Sequence, residues 1–232
     1  MLGATLLLTA AAQLPPPYPP YYVTRTFRQR ADHFNAEDTS RFSERYLENA
    51  THWGGPGSPI LLYTGAEGSG VPSIFTHSGY VMEVARSLSA LVIFAEMRFF
   101  GVSMPFGANG SFIPDPTHLG LLSIEQTLAD YASLVAGIRK ERHAHASPVI
   151  AVGGSLAGSL AFWLRAKYPA IVDMALASSA PILGYPRLTS PYGWYRVSTA
   201  TFERTHLSAG YLCGPVVPLG LHSSSNSRSR RW

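Results

Sequence analysis

Residues 149–160 read VIAVGGSLAGSL, an apolar run that stops at two glycines and a serine before a second apolar stretch begins. Val149–Val152 shows no alternation of apolar and polar residues, as expected of a strand covered on both faces. LAGSLAFWLRAKY, Leu156–Tyr168, reads as a helix. Ser155 stands where one becomes the other. A strand-to-helix turn this tight strains the serine backbone and admits only small neighbours. It lifts the Ser155 hydroxyl above the sheet edge and turns the Leu156 N–H into the same space, at a helix N-terminus that favours negative charge. Ser155 is therefore a candidate nucleophile and Leu156 a candidate backbone oxyanion donor. The Gly-x-Ser-x-Gly elbow is met by Gly153, Gly154, Ser155 and Leu156, with Ala157 in the last place and Gly158 one position later.

Other readings of the turn fare less well. A phosphate loop needs Lys and then Ser or Thr after its last glycine, whereas Gly158 precedes Ser159 and Leu160. A dinucleotide turn needs glycine where Ser155 stands. Its acidic residue, about 20 positions on, would be Asp173, near the start of a strand and not at its end. A turn without chemistry remains open on these residues alone.

Three more apolar runs of strand length accompany Val149–Val152, namely Ile60–Thr64, Leu91–Ala95 and Ile171–Ala177. Helical stretches separate them. In SIEQTLADYASLVAGIRK, Ser123 and Gln126 fit a capping box, and Ile124, Leu128, Tyr131, Val135 and Ile138 follow a helical period. Asp130 on that helix is expected at its polar edge. TRTFRQRADHF and SRFSERYL suggest a hairpin at a sheet edge. The pattern predicts an α/β fold with a mostly parallel sheet and helices on both faces, and chemistry at the carboxyl ends of the strands. The glycine-rich loop GAEGSG follows Ile60–Thr64, the place where a second oxyanion donor is drawn in this architecture, so Gly65 and Ala66 are candidates.

The chain has 232 residues, 46% hydrophobic and 14% charged, a globular composition. Net charge is +4, but three arginines and no acid follow Gly210, leaving 4 − 3 = +1 for the rest. A nearly neutral body argues against a nucleic-acid partner. No apolar run is long enough to span a bilayer. Residues 1–12 are expected to be a signal peptide and 13–22 a proline-rich linker, followed by the α/β domain at 23–186. Residues 187–232 are expected to be a cap remnant, weakly helical at best over 187–209, and a disordered tail. Asn49 and Asn109 head N-glycosylation triplets. The lone Cys213 excludes an internal disulfide. No His, Cys or carboxylate cluster has metal-ligand spacing, so neither metal nor cofactor is expected.

Five stretches in order, ADHFN (31–35), YTGAEG (63–68), FAEMRFFGVSMPFG (94–107), LSIEQTLADY (122–131) and VGGSLAGSLAFWLRAKYP through ASSAP (152–181), resemble the serine peptidases that comprise lysosomal Pro-Xaa carboxypeptidase, dipeptidyl peptidase II and the thymus-specific serine protease. The resemblance covers about Tyr22 to Pro186. It implies an α/β-hydrolase fold with a helical cap inserted after the first six strands. The implied activity is hydrolysis of peptides near proline or small residues through an acyl-enzyme, in lysosomes or outside cells. Ser155 matches the family nucleophile, Leu156 one oxyanion donor, and Gly65 or Ala66 the other. Leu156 and Ala157 replace the usual Tyr and Gly, Met97 replaces a His, and Ala66 an Asn. The family's acid and base lie downstream of the cap, in a region nothing after Pro186 resembles. The expectation is therefore a member with an incomplete triad, its C-terminal strands and most of the cap missing. The rival expectation is a non-catalytic fragment that binds peptide weakly. Whether the cut falls at the carboxyl or the amino end of a peptide is left open, as is oligomeric state.

Overall fold

A hairpin opens the fold. The computed structural model describes residues 21–68, 70–106, 116–184, 188–190 and 192–205. β1 (Val23–Arg30) pairs antiparallel with β2 (Arg41–Asn49), the hairpin expected from TRTFRQRADHF and SRFSERYL. β2 then runs antiparallel to β4 (Leu91–Ala95), whose five residues are all buried. β3 (Ile60–Thr64) lies parallel between β4 and β5 (Val149–Gly154), and β5 is parallel to β6 (Met174–Ser178). The order is β1-β2-β4-β3-β5-β6.

Helices fill both faces. α1 (Val71–Thr76) and α2 (Gly79–Leu88) bury Val71, Phe75, Val81 and Ala85 against Leu61, Val92 and Phe94. α3 (Ile124–Glu141) and α4 (Leu156–Lys167) bury Leu128, Tyr131, Leu134, Leu160 and Leu164 against Ile60, Leu62, Ile93 and Ala151. Each such aliphatic side chain withdrawn from water contributes about 1.5–3 kcal/mol. The chain divides into two units, Met1–Pro181 and Ile182–Trp232. The second contains α5 (Gly193–Thr205), a helix where only weak helical tendency was expected. Among the described residues no helix is long and apolar enough to cross a membrane.

Three expectations are corrected. The last strand begins at Met174, not Ile171, because Asp173 turns the chain into β6. Its carboxylate accepts from Val149 N–H at 2.8 Å and its N–H donates to the Val149 carbonyl at 2.9 Å. β6 is also not covered on both faces. Among the described residues it is an edge strand with one neighbour, and Met174 and Leu176 are half exposed. Finally, Asp130 is not at a polar edge but buried, under a guanidinium.

That guanidinium belongs to Arg98, fully buried in the loop after β4. Its Nε and Nη2 donate to the Asp130 carboxylate at 2.6 and 2.8 Å, and Nη1 donates to the carbonyls of Ala31 and Leu121. His33 Nε2 lies 2.7 Å from Asp130 Oδ1. Gln29 Nε2 reaches both Glu44 Oε2 and the Asp130 carbonyl at 2.7 Å. Paired with each other and hydrogen-bonded, the buried charges of Arg98 and Asp130 are tolerated, and with Gln29 and Glu44 they bind β1, β2 and the loop after β4 to α3. Gln126 joins this network as well. Ser123 Oγ caps the helix by accepting from Gln126 N–H at 3.2 Å, but the Gln126 side chain accepts from His33 N–H and donates to Asp32 instead of reaching back.

Candidate active site

Ser155 is at φ 57°, ψ −127°, between the end of β5 and the first residue of α4. A residue with a Cβ rarely occupies this region, and holding it there costs about 1–3 kcal/mol. The surroundings enforce it. Ser155 N–H donates to the Ser178 carbonyl of β6 at 3.0 Å, and the Ser155 carbonyl accepts from Ser159 N–H at 3.1 Å. The side chain makes no capping bond to its own helix and the residue is exposed. Its hydroxyl is therefore presented to solvent, not spent on structure.

The small residues around it have distinct reasons. A Cβ on Gly153 would meet the Ala157 carbonyl carbon and oxygen at 2.4 Å. On Gly158 it would meet the Ser178 carbonyl at 2.8 Å and Ala180 Cβ at 3.1 Å. Gly154 has nothing closer than 4.0 Å. The requirement for a bare backbone thus falls on Gly153 and Gly158, while buried Ala157 is accommodated. The imperfect last place of the elbow is made good one residue later.

Leu156 is the first residue of α4, so its N–H belongs to the group that no carbonyl of the helix can satisfy. The β3 loop stands opposite. β3 and β5 pair with Tyr63 beside Val152. That pairing ends there, and because the two strands are parallel neighbours, Gly65 and Ala66 leave β3 at the same end of the sheet at which β5 gives way to Ser155. Thr64 Oγ1 donates to the Ala157 carbonyl at 2.7 Å and ties the end of β3 to the first turn of α4. The two candidate donors of this loop are not equivalent. Gly65 N–H is spent on the Ala95 carbonyl at 2.8 Å, whereas among the described residues Ala66 N–H has no partner. Gly65 is needed for close approach, since a Cβ there would meet the Ala95 carbonyl at 2.3 Å.

A cavity of about 330 Å³ opens beside the elbow, lined by Tyr63, Tyr80, Val152, Gly153, Gly154 and Ser178 among others. Tyr63 stacks on Phe94 at 4.6 Å, and burial pushes its phenol up against the opposing effect of the Gly154 N–H.

Among the described residues no imidazole is hydrogen-bonded to Ser155. The sequence did not show that His33 and Asp130 meet, because they are 97 positions apart. This histidine–carboxylate pair is no base for Ser155. Asp130 is saturated by Arg98, and β1 lies four strand spacings from β5, roughly 19 Å. Glu96 was likewise missed. Buried, it accepts from Arg45, Ser103 Oγ at 2.8 Å and Val102 N–H at 3.0 Å, holding the loop after β4 in place. The motifs at 94–107 and 122–131 therefore carry the frame of the fold more than its chemistry. Asp173, the acid a dinucleotide site would require, sits at the opposite end of the sheet from Ser155, holding the first residue of β5. Asn49 is buried on β2 and its side-chain nitrogen donates to the Tyr21 carbonyl, so the atom a glycan would take is already engaged in this fold. Asn109 lies outside the described residues, as do residues 1–20 and 206–232.

Comparison with known proteins places these features. Residues 29–186 match the family described as serine carboxypeptidase S28. Lysosomal Pro-X carboxypeptidase of Mus musculus is 41% identical over 201 residues, covering 78% of this chain and 40% of that protein. The thymus-specific serine protease of Homo sapiens is 40% identical over 155 residues, covering 66% of this chain and 29% of that protein. Among solved structures, brefeldin A esterase, a bacterial homologue of human hormone-sensitive lipase, superposes with a TM-score of 0.44 at 19% identity, over 78% of this chain and 45% of that one. The chain thus spans less than half the length of the curated relatives it matches.

Proposed function

Because the chain belongs to the serine carboxypeptidase S28 family, we propose that it is built for peptide-bond hydrolysis through an acyl-enzyme on Ser155, with a substrate cut after a proline near its carboxyl end. The observation that carries this is the strained, exposed Ser155 beside the first N–H of α4. In the proposed chemistry, Ser155 Oγ attacks the scissile carbonyl carbon and the carbonyl oxygen becomes an oxyanion. Leu156 N–H and Ala66 N–H receive that charge, an arrangement in which losing one donor costs about 10²–10³ in turnover. Collapse of the intermediate breaks the C–N bond and expels the amine, and water then releases the acyl group. The serine proton needs a base, without which the hydroxyl is a weak nucleophile. The base would come from outside the described residues. The names of the relatives support proline specificity and a lysosomal setting.

The lack of an imidazole on Ser155 among the described residues favours a second reading, a peptide-binding chain that does not turn over. Mass spectrometry separates the two. The chain would be incubated with one peptide carrying proline next to last and another carrying proline second. Loss of the single residue after proline, abolished in Ser155→Ala, is the expected result. Release of an amino-terminal dipeptide would overturn the carboxypeptidase assignment. Two intact peptides would leave the binding reading.

A further inference from the structure

We infer that Tyr131 of α3 is a positioning residue for the oxyanion site, fixing the direction in which Ala66 N–H points. This rests on the reading of Ser155 as nucleophile, and the geometry behind it is independent of that reading. Tyr131 is fully buried, and its hydroxyl donates to the Gly65 carbonyl at 2.8 Å. Burial, then the charges of Glu44, Asp130 and Glu96, hold its phenol well above the usual tyrosine range, so it keeps the proton it donates.

The consequence follows from the planarity of the peptide unit. Gly65 C=O and Ala66 N–H belong to one trans peptide and point in opposite directions. Drawing the oxygen into the core toward α3 turns the nitrogen's hydrogen out of it. The residue so exposed, Ala66, is half-buried and follows β3 at the sheet end where Ser155 follows the neighbouring parallel strand β5. The other side of Gly65 is fixed too, because its own N–H is held by the Ala95 carbonyl at 2.8 Å. The loop therefore cannot swing without breaking one of these bonds. Tyr131 is in turn placed by its neighbour in the chain, since Asp130 is clamped by Arg98. The buried ion pair thus sets the position of α3, α3 sets the hydroxyl, and the hydroxyl sets an amide at the site.

The test is amide relaxation and residual dipolar coupling on the ¹⁵N-labelled full chain, with fluorophosphonate labelling run alongside, for wild type, Tyr131→Phe and Ser155→Ala. In wild type the Ala66 amide should be as rigid as the strands, with an order parameter of about 0.85. In Tyr131→Phe it should become mobile while the amides of β5 keep their couplings. The maximal labelling rate at Ser155 should fall about tenfold or more, with reagent affinity unchanged, as expected when an oxyanion donor is lost. A rigid Ala66 amide with an unchanged coupling in Tyr131→Phe would overturn the inference. So would an Ala66 amide already mobile in wild type, a result that stands even if the variant does not fold. Absence of labelling in wild type would instead count against Ser155 as nucleophile, while the amide data still decide the role of Tyr131.

Discussion

Replacing Ser155 by glycine should make the protein more stable, although glycine elsewhere usually does the reverse. At φ 57°, ψ −127° the serine Cβ is the source of the strain, which costs about 1–3 kcal/mol. Removing it recovers that energy. Against it stands glycine's greater freedom in the unfolded chain, about 0.5–1 kcal/mol. The net effect is a gain of about 1 kcal/mol, and the exposed side chain gives up little packing. For a domain of this size that is a rise in melting temperature of about 2–4 °C. Ser155→Ala is the control, because it loses the hydroxyl and keeps the Cβ. It should melt within about 0.5 kcal/mol of wild type. Calorimetry or thermal circular dichroism on the three proteins gives the order glycine above alanine and wild type. Should glycine prove less stable than alanine, the serine is not strained, and the argument that a rigid corner holds the proposed nucleophile in place fails.

Glu44 should make the fold more stable in acid. Burial, then the charge of Asp130, pushes its carboxyl well above the usual range, with Arg98, Glu96 and Gln29 as the other near groups and Tyr131 facing it from α3. A raised folded pKa gives stability that is complete below the unfolded value of about 4.3 and is lost as pH rises through the folded value. Urea midpoints should therefore fall as pH rises above about 4.3 in wild type and stay flatter in Glu44→Gln. Asp32 and Asp38, lowered by hydrogen bonds from Phe34 N–H and the Ser40 side chain respectively, act the other way, their stability being lost as pH falls. Both are near the surface and weigh little. Gly158→Ala should cost about 1–3 kcal/mol through overlap with the Ser178 carbonyl, while Gly154→Ala, with 4.0 Å of clearance, should melt close to wild type. Asp130→Asn should cost about 3–5 kcal/mol in urea unfolding, because it leaves the Arg98 charge buried and unpaired.

β3 and β4 were legible to the residue because Ile60–Thr64 and Leu91–Ala95 are central runs with no competing polar signal. The hairpin at 23–49 was legible from two polar stretches with scattered aromatics, TRTFRQRADHF and SRFSERYL. β6 was misplaced by three residues, since Ile171 and Val172 continue the apolar pattern and nothing in sequence shows Asp173 bonding to Val149. The elbow was readable because glycine next to a serine between a strand and a helix has few other uses. Its true constraint at Gly158 depends on how α4 packs on β6, which spacing does not reveal. The buried set of Gln29, Glu44, Arg98 and Asp130 was invisible for a physical reason. Each reads as a surface residue, and only the sheet order and the placing of α3 bring them together. The choice between Gly65 and Ala66 needed the bond to Ala95.

The most direct measurement is reaction of the chain with a fluorophosphonate, followed by intact-mass analysis and peptide mapping at neutral and acidic pH. One adduct per chain, located on Ser155 and absent from Ser155→Ala, is what a serine poised between Leu156 and Ala66 should give. An unmodified chain, or an adduct on a different residue, would contradict it.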